Sequence, residues 1–149
     1  MNDDHPSVRS IGVEGTCKIL SLFWEVIPLE KSYAFLKRIV KKMAFDANSV
    51  GVRVSCFKGL TYLSDNHLAH PSLKSTLFLW FFFWPKTWLT FSLELLPSLK
   101  PLIHDSAQIV RLAFINLLLR IKSLRTIQFI DIVPLEDILL RLSLEPQAN

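Results

Sequence analysis

The sequence predicts an all-α fold, a solenoid of about three stacked helix pairs. Three observations lead there. A signature occurs three times, in which an acidic loop precedes a Val-Arg pair that opens an apolar run. The copies are Asp3-Asp4-His5-Pro6-Ser7-Val8-Arg9, then Phe45-Asp46-Ala47-Asn48-Ser49-Val50-Gly51-Val52-Arg53, then His104-Asp105-Ser106-Ala107-Gln108-Ile109-Val110-Arg111. Each copy places a carboxylate six or seven residues before its arginine. Self-similarity at a period of about 40 residues marks helical arrays, because each repeat buries its apolar face only against its neighbours. The second observation is apolar spacing of three and four residues through most of the chain. The third is composition: of 149 residues, half are apolar and a fifth charged, which suits a folded helical array and argues against disorder. A solenoid is first a surface for partners, so these features weigh against catalysis.

The elements follow in order. Residues 8 to 23 read as one helix, with Val8, Ile11, Gly12, Gly15, Ile19 and Phe23 on one face and Ser7 as its cap. Pro28 ends the connection, and residues 29 to 44 read as a second helix with Phe35, Leu36, Ile39, Val40 and Met43 inward. A third helix spans 49 to 63, stopped by Asp65-Asn66. Residues 93 to 103 are expected to be helical, kinked or shortened by Pro97 and Pro101. The clearest helix covers 107 to 123, with Val110, Ala113, Phe114, Leu117, Leu118 and Ile121 spaced for burial. A last one opens at Pro134 and carries Leu135, Ile138, Leu139 and Leu142. The stretch 126 to 133 is β-favourable but isolated, and reads as helix or connection.

Helix, short turn, helix is the HEAT arrangement. The chain opens on the second helix of one pair and stops after the first of another, with no polar capping repeat at either end. The expectation is a HEAT-type α-solenoid fragment: residues 1–74 form repeats of which the first is incomplete, and 93–149 a repeat and an incomplete successor. Between them, 75–92 is an aromatic insertion. Arg9 and Arg53 stand 44 residues apart but Arg53 and Arg111 stand 58, and the surplus coincides with Leu77-Phe78-Leu79-Trp80-Phe81-Phe82-Phe83-Trp84. A spanning helix needs about 20 apolar residues. Pro85-Lys86 end this run after eight, so membrane insertion is not expected. Phenylalanine codons are pyrimidine-rich, and the run resembles a translated polypyrimidine tract before a splice acceptor. Residues 75–92 therefore read as a splicing or gene-model artefact, or, if expressed, as an exposed aromatic patch prone to aggregation.

Several stretches carry a resemblance. Val8-Arg9-Ser10-Ile11-Gly12-Val13-Glu14-Gly15-Thr16-Cys17-Lys18-Ile19-Leu20 and Phe23-Trp24-Glu25-Val26-Ile27-Pro28 resemble the HEAT region of the G-type, non-SMC subunit of condensin II. So do Met43-Ala44-Phe45-Asp46, Asn66-His67-Leu68-Ala69-His70-Pro71, Leu95-Leu96-Pro97-Ser98-Leu99 and Ile121-Lys122-Ser123-Leu124-Arg125. The likeness covers most of the chain outside 75–92. It implies a nuclear, chromosomal scaffold of mitotic condensation, partnered by the kleisin and SMC subunits of condensin II and by the DNA backbone without sequence preference. Two other readings stand beside it. One is another HEAT adaptor, such as a transport receptor or phosphatase scaffold. The other is a small membrane-associated protein anchored by the aromatic segment.

The chemistry-bearing residues also admit plainer roles. Asp3, Arg9, Asp46, Arg53, Asp105 and Arg111 read as a structural ladder, each loop carboxylate meeting an arginine of the same or next repeat. Lys37, Arg38, Lys41 and Lys42 form two i,i+4 like-charge pairs on one helical face. They read either as a solvated basic face or as a contact for DNA phosphates, which would relieve their repulsion. Arg120, Lys122 and Arg125 form a second basic cluster near a helix end, where cations also suit the helix dipole. A net charge of +4 leans mildly toward acidic partners. His67 and His70 lack companions at ligand spacing, so no metal is expected. The four glycines form no phosphate loop, and no nucleophile pattern appears, so neither a cofactor nor an enzymatic activity is expected. Cys17 and Cys56 read as buried thiols of a reducing compartment, and the polar first ten residues do not resemble a secretory signal.

Overall fold

The computed structural model describes residues 3–23, 26–68, 94–123 and 128–144, and the aromatic segment 75–92 lies outside them. Helix α1 spans Pro6–Phe23, α2 Leu29–Lys41, α3 Val50–Leu68, α4 Gln108–Lys122 and α5 Leu135–Leu144. Short 3-10 helices cover Met43–Phe45 and Phe129–Asp131, and a longer one covers Leu96–His104. Among the described residues the chain is all-α.

The helices form two layers. In one, α1 packs on α3 and α3 on α4; in the other, α2 and α5 both pack on the 3-10 helix Leu96–His104. Three repeats of the signature therefore yield three successive helices of one layer. The core runs between the layers through Leu20, Leu36, Ile39, Leu63, Leu99 and Ile103, all fully buried. Phe57 of α3 meets Phe114 of α4 with ring centroids 5.1 Å apart. Burying each such side chain contributes about 1.5–3 kcal/mol, which is what holds short helices that would be marginal alone.

Local chemistry sets the helix boundaries. Pro6 opens α1, where its missing N–H is no loss, so Ser7 falls inside the first turn and is not the cap. Ser49 does cap α3, its Oγ accepting from the Val52 amide at 3.3 Å. Pro97 and Pro101 remove donors that an α-helix needs, and the chain answers with the tighter 3-10 winding over Leu96–His104. Asp65-Asn66 does not stop α3, which continues to Leu68. Helix-breaking propensity there is weak, and Asp65 is held by Arg120 across the layer.

Several apolar faces differ from expectation. α1 buries Val13, Cys17 and Leu20 against α3, while Val8, Ile11, Ile19 and Phe23 are exposed. α1 is apolar on two sides, and among the described residues only one packs against a neighbouring helix. Phe35 likewise points outward from α2, and Leu135, Leu139 and Leu142 are exposed on α5, where Ile138 alone packs against the core.

α1 and α3 approach unusually closely. A Cβ added at Gly59 would lie 2.6 Å from Cys17 Sγ and 2.9 Å from Cys17 Cβ. Four residues before Gly59, Ser55 donates to Glu14 Oε1 at 2.8 Å, which satisfies both groups at the same interface.

Candidate functional site

The three signatures adopt one geometry. Asp3, Asp46 and Asp105 each turn Oδ1 back to accept from the backbone amide two residues on, at 2.8, 2.9 and 2.8 Å. Such a turn rigidifies the loop and aims the second oxygen outward. Each arginine then bonds its own loop: Arg9 Nη1 donates to the Asp3 and Asp4 carbonyls, Arg53 Nη1 to that of Asp46, and Arg111 Nη1 to those of Asp105 and Ser106. The guanidinium groups of Arg9 and Arg53 simultaneously reach the following repeat. Arg9 Nε lies 3.0 Å from Asp46 Oδ2, and Arg53 Nε lies 2.9 Å from Asp105 Oδ2. The pairing thus runs from Arg9 and from Arg53 to the carboxylate of the next loop. The residues of the pair Arg53–Asp105 flank the segment 75–92 in sequence, yet its closest approach, 2.9 Å, is like the 3.0 Å of Arg9–Asp46. Arg9 donates from Nε to Asp46 Oδ2, whereas Arg53 donates from Nη2 to Asp105 Oδ1 at 3.1 Å.

The basic residues lie apart, in different layers. Along α2 and its C-cap Lys42, the side chains of Lys37, Lys41 and Lys42 are exposed and Arg38 is half-buried, opposite the buried Leu36, Ile39 and Val40. Arg38 Nε is buried and has no hydrogen-bond partner among the described residues. Arg38 and Lys41 sit in the last turn, where the dipole favours cations. In the second cluster Arg120 is ion-paired, its Nε 3.0 Å from Asp65 Oδ1. Lys122 is exposed on the wall of a cleft beside α5, and Arg125 lies outside the described residues. A phosphate would therefore find the α2 cluster open and would have to displace Asp65 at Arg120.

Cys17 and Cys56 are buried. Burial pushes the Cys17 thiol up to about 12, with the nearby Glu14 carboxylate adding to it. Burial also raises Cys56, helped by Cys17 and Asp46. Both stay protonated at neutral pH, and thiols react as thiolates. We expect neither to react with iodoacetamide in the folded chain at pH 7 and both to react after unfolding, as mass spectrometry would read. The sign for stability follows. An unfolded thiol loses its proton above its ordinary value of 9.0 while the folded Cys17 keeps it to about 12. The thiol contribution to stability is thus intact below pH 9 and falls as pH rises through that window.

Among the described residues no cluster of His, Cys, Asp or Glu has the geometry to hold a metal, and no helix is long and apolar enough to cross a membrane.

No family model matches the chain, and no solved structure matches it. Curated relatives do. Condensin-2 complex subunit G2 of Mus musculus is 40% identical over 145 residues, 97% of this chain. The subunits of the same name from Homo sapiens and Danio rerio are 39% and 34% identical over 95% and 97% of the chain. The chain spans 11% of the length of these relatives. It is a partial relative of the condensin-2 complex subunit G2 family, similar to one stretch of that subunit.

Proposed function

We propose that this chain is a non-catalytic HEAT-type scaffold segment of a condensin II G-type subunit, acting in mitotic chromosome condensation in the nucleus. The observation that carries this reading is the match to condensin-2 complex subunit G2 over 97% of the chain. The regular two-layer stacking supports it, because stacked helices offer a continuous surface to a kleisin segment and, through it, to the SMC subunits. The parts 1–74 and 93–149 would serve as one array, with 75–92 as an insertion between the paired Arg53 and Asp105.

The α2 cluster is the DNA contact in this reading. Four cations on one face, three of them exposed, suit a run of backbone phosphates and carry no base recognition. Arg120 and Lys122 contribute less, since Arg120 already has a carboxylate. Fluorescence anisotropy with a random-sequence duplex tests the assignment. Replacing Lys37, Arg38, Lys41 and Lys42 with glutamate should lower affinity at least tenfold at low salt and flatten the dependence of affinity on salt. Unchanged affinity and slope would remove this face from the account.

A further inference from the structure

The exposed stripe on α1 has a meaning set by the repeat register. Val8, Ile11, Gly15 and Ile19 fall 44 residues before Val52, Ser55, Gly59 and Leu63 of α3. Those four α3 positions are all buried, and two of them face α1 directly, Ser55 through Glu14 and Gly59 through Cys17. The matching positions of α4 are Val110, Ala113, Leu117 and Ile121, of which three are buried and Ala113 half-buried. On α1 the same positions are open: Ile11 is 72% and Ile19 55% exposed, and nothing lies within 4 Å of a Cβ at Gly15. The glycine that close helix approach demands at position 59 is thus repeated at position 15, where no helix among the described residues lies against it. Asp3 repeats the turn of Asp46 and Asp105 and is exposed where those two receive an arginine.

The opposite end offers the complementary shape. Counting from Val13 and Cys17, which α1 buries against α3, the same register positions of α4 are Ile115 and Leu119. These line an apolar cleft of about 230 Å³ between α4 and α5, closed on the other side by Ile138 and Leu142. Leu119 and Leu142 are largely exposed. The cleft is the position the next helix of the α1–α3–α4 layer would fill.

We propose that α1 of one copy of this chain lies in the cleft between α4 and α5 of a second copy, so that copies stack head to tail and continue the array. The contact is heterologous, each copy using two different faces, so it propagates and does not close into a symmetric dimer. Burial of the α1 stripe supplies the driving force, as it does at the two interfaces of the same register inside the chain. This inference stands apart from the DNA and kleisin assignments and survives their failure.

Sedimentation velocity of the full chain across a concentration series tests it. The expected result is species at whole multiples of the chain mass that grow with concentration. The pair Ile11→Glu and Ile19→Glu should leave a monomer, as should the pair Leu119→Glu and Leu142→Glu, each with the helical circular dichroism signal retained. Mixing the two doubly substituted chains should restore a one-to-one complex and nothing larger, since each keeps one intact end. Gly15→Leu reads the α1 end without touching the core, and should abolish association even if a glutamate variant unfolds. A wild-type chain that stays monomeric overturns the proposal. So does association that survives every one of these substitutions, or a mixture that fails to pair.

Discussion

Replacing Arg53 with alanine should destabilise the chain by about 3–5 kcal/mol, the cost of leaving a mostly buried carboxylate without its partner. Arg53 and Asp105 are only 10% and 7% exposed, so water can do little for Asp105 once the guanidinium is gone. The same substitution orphans the Asp46 carbonyl, which Arg53 Nη1 bonds at 2.7 Å. Urea denaturation followed by circular dichroism would read the loss as a lower midpoint. Arg120→Ala is the internal contrast. Its pair with Asp65 is about half exposed, and such pairs contribute roughly 0–1 kcal/mol. Equal effects of the two substitutions would contradict the view that the arginine ladder holds successive repeats in register. Arg53→Lys should recover only part of the loss, since an ammonium cannot reach both carboxylate and carbonyl in the fork geometry of a guanidinium.

Glycine to alanine inside a helix ordinarily stabilises by roughly 0.5–1 kcal/mol. At Gly59 the sign should reverse, to a loss of about 1–3 kcal/mol, because the added methyl falls on Cys17 and overpacks the α1–α3 contact. Cys17→Ala on the Gly59→Ala background should recover only a part, since the sulfur at 2.6 Å is removed but the Cβ at 2.9 Å remains. Gly15→Ala, at the same register position with open space around it, should show the ordinary gain in dilute solution. Opposite signs at Gly15 and Gly59 would show that one position is packed and its repeat is not. Matching signs would remove the close approach from the account.

Features that depend on spacing were legible in the sequence, and those that depend on a neighbour were not. The six residues Asp3, Arg9, Asp46, Arg53, Asp105 and Arg111 stand out by their intervals, and the spacing of Val110, Phe114, Leu117, Leu118 and Ile121 marks the buried face of α4, although Ile109, Leu112 and Leu119 are apolar and exposed. α1 carries two apolar stripes, so periodicity alone cannot tell Val13, Cys17 and Leu20 from Val8, Ile11 and Ile19. What decides is that α3 lies on one side only. The α5 leucines mislead for the same reason. Asp65 looks like a helix stop until Arg120, 55 residues away, is brought beside it. Within the basic clusters, composition marks every cation alike. Only the fold separates the open Lys37, Lys41 and Lys42 from Arg120, which is already paired.

In the proposed scaffold, stability rests on a few inter-repeat contacts, and the outer faces would be left to partners. The buried arginine pairs link successive repeats, and Lys37, Lys41 and Lys42 lie exposed. Affinity purification of the tagged chain from mitotic nuclear extract tests the functional reading most directly. SMC and kleisin subunits of condensin II should be recovered with it, and Arg53→Ala, by loosening the array, should reduce their recovery. Recovery of the intact, folded chain without any of these subunits would contradict that reading.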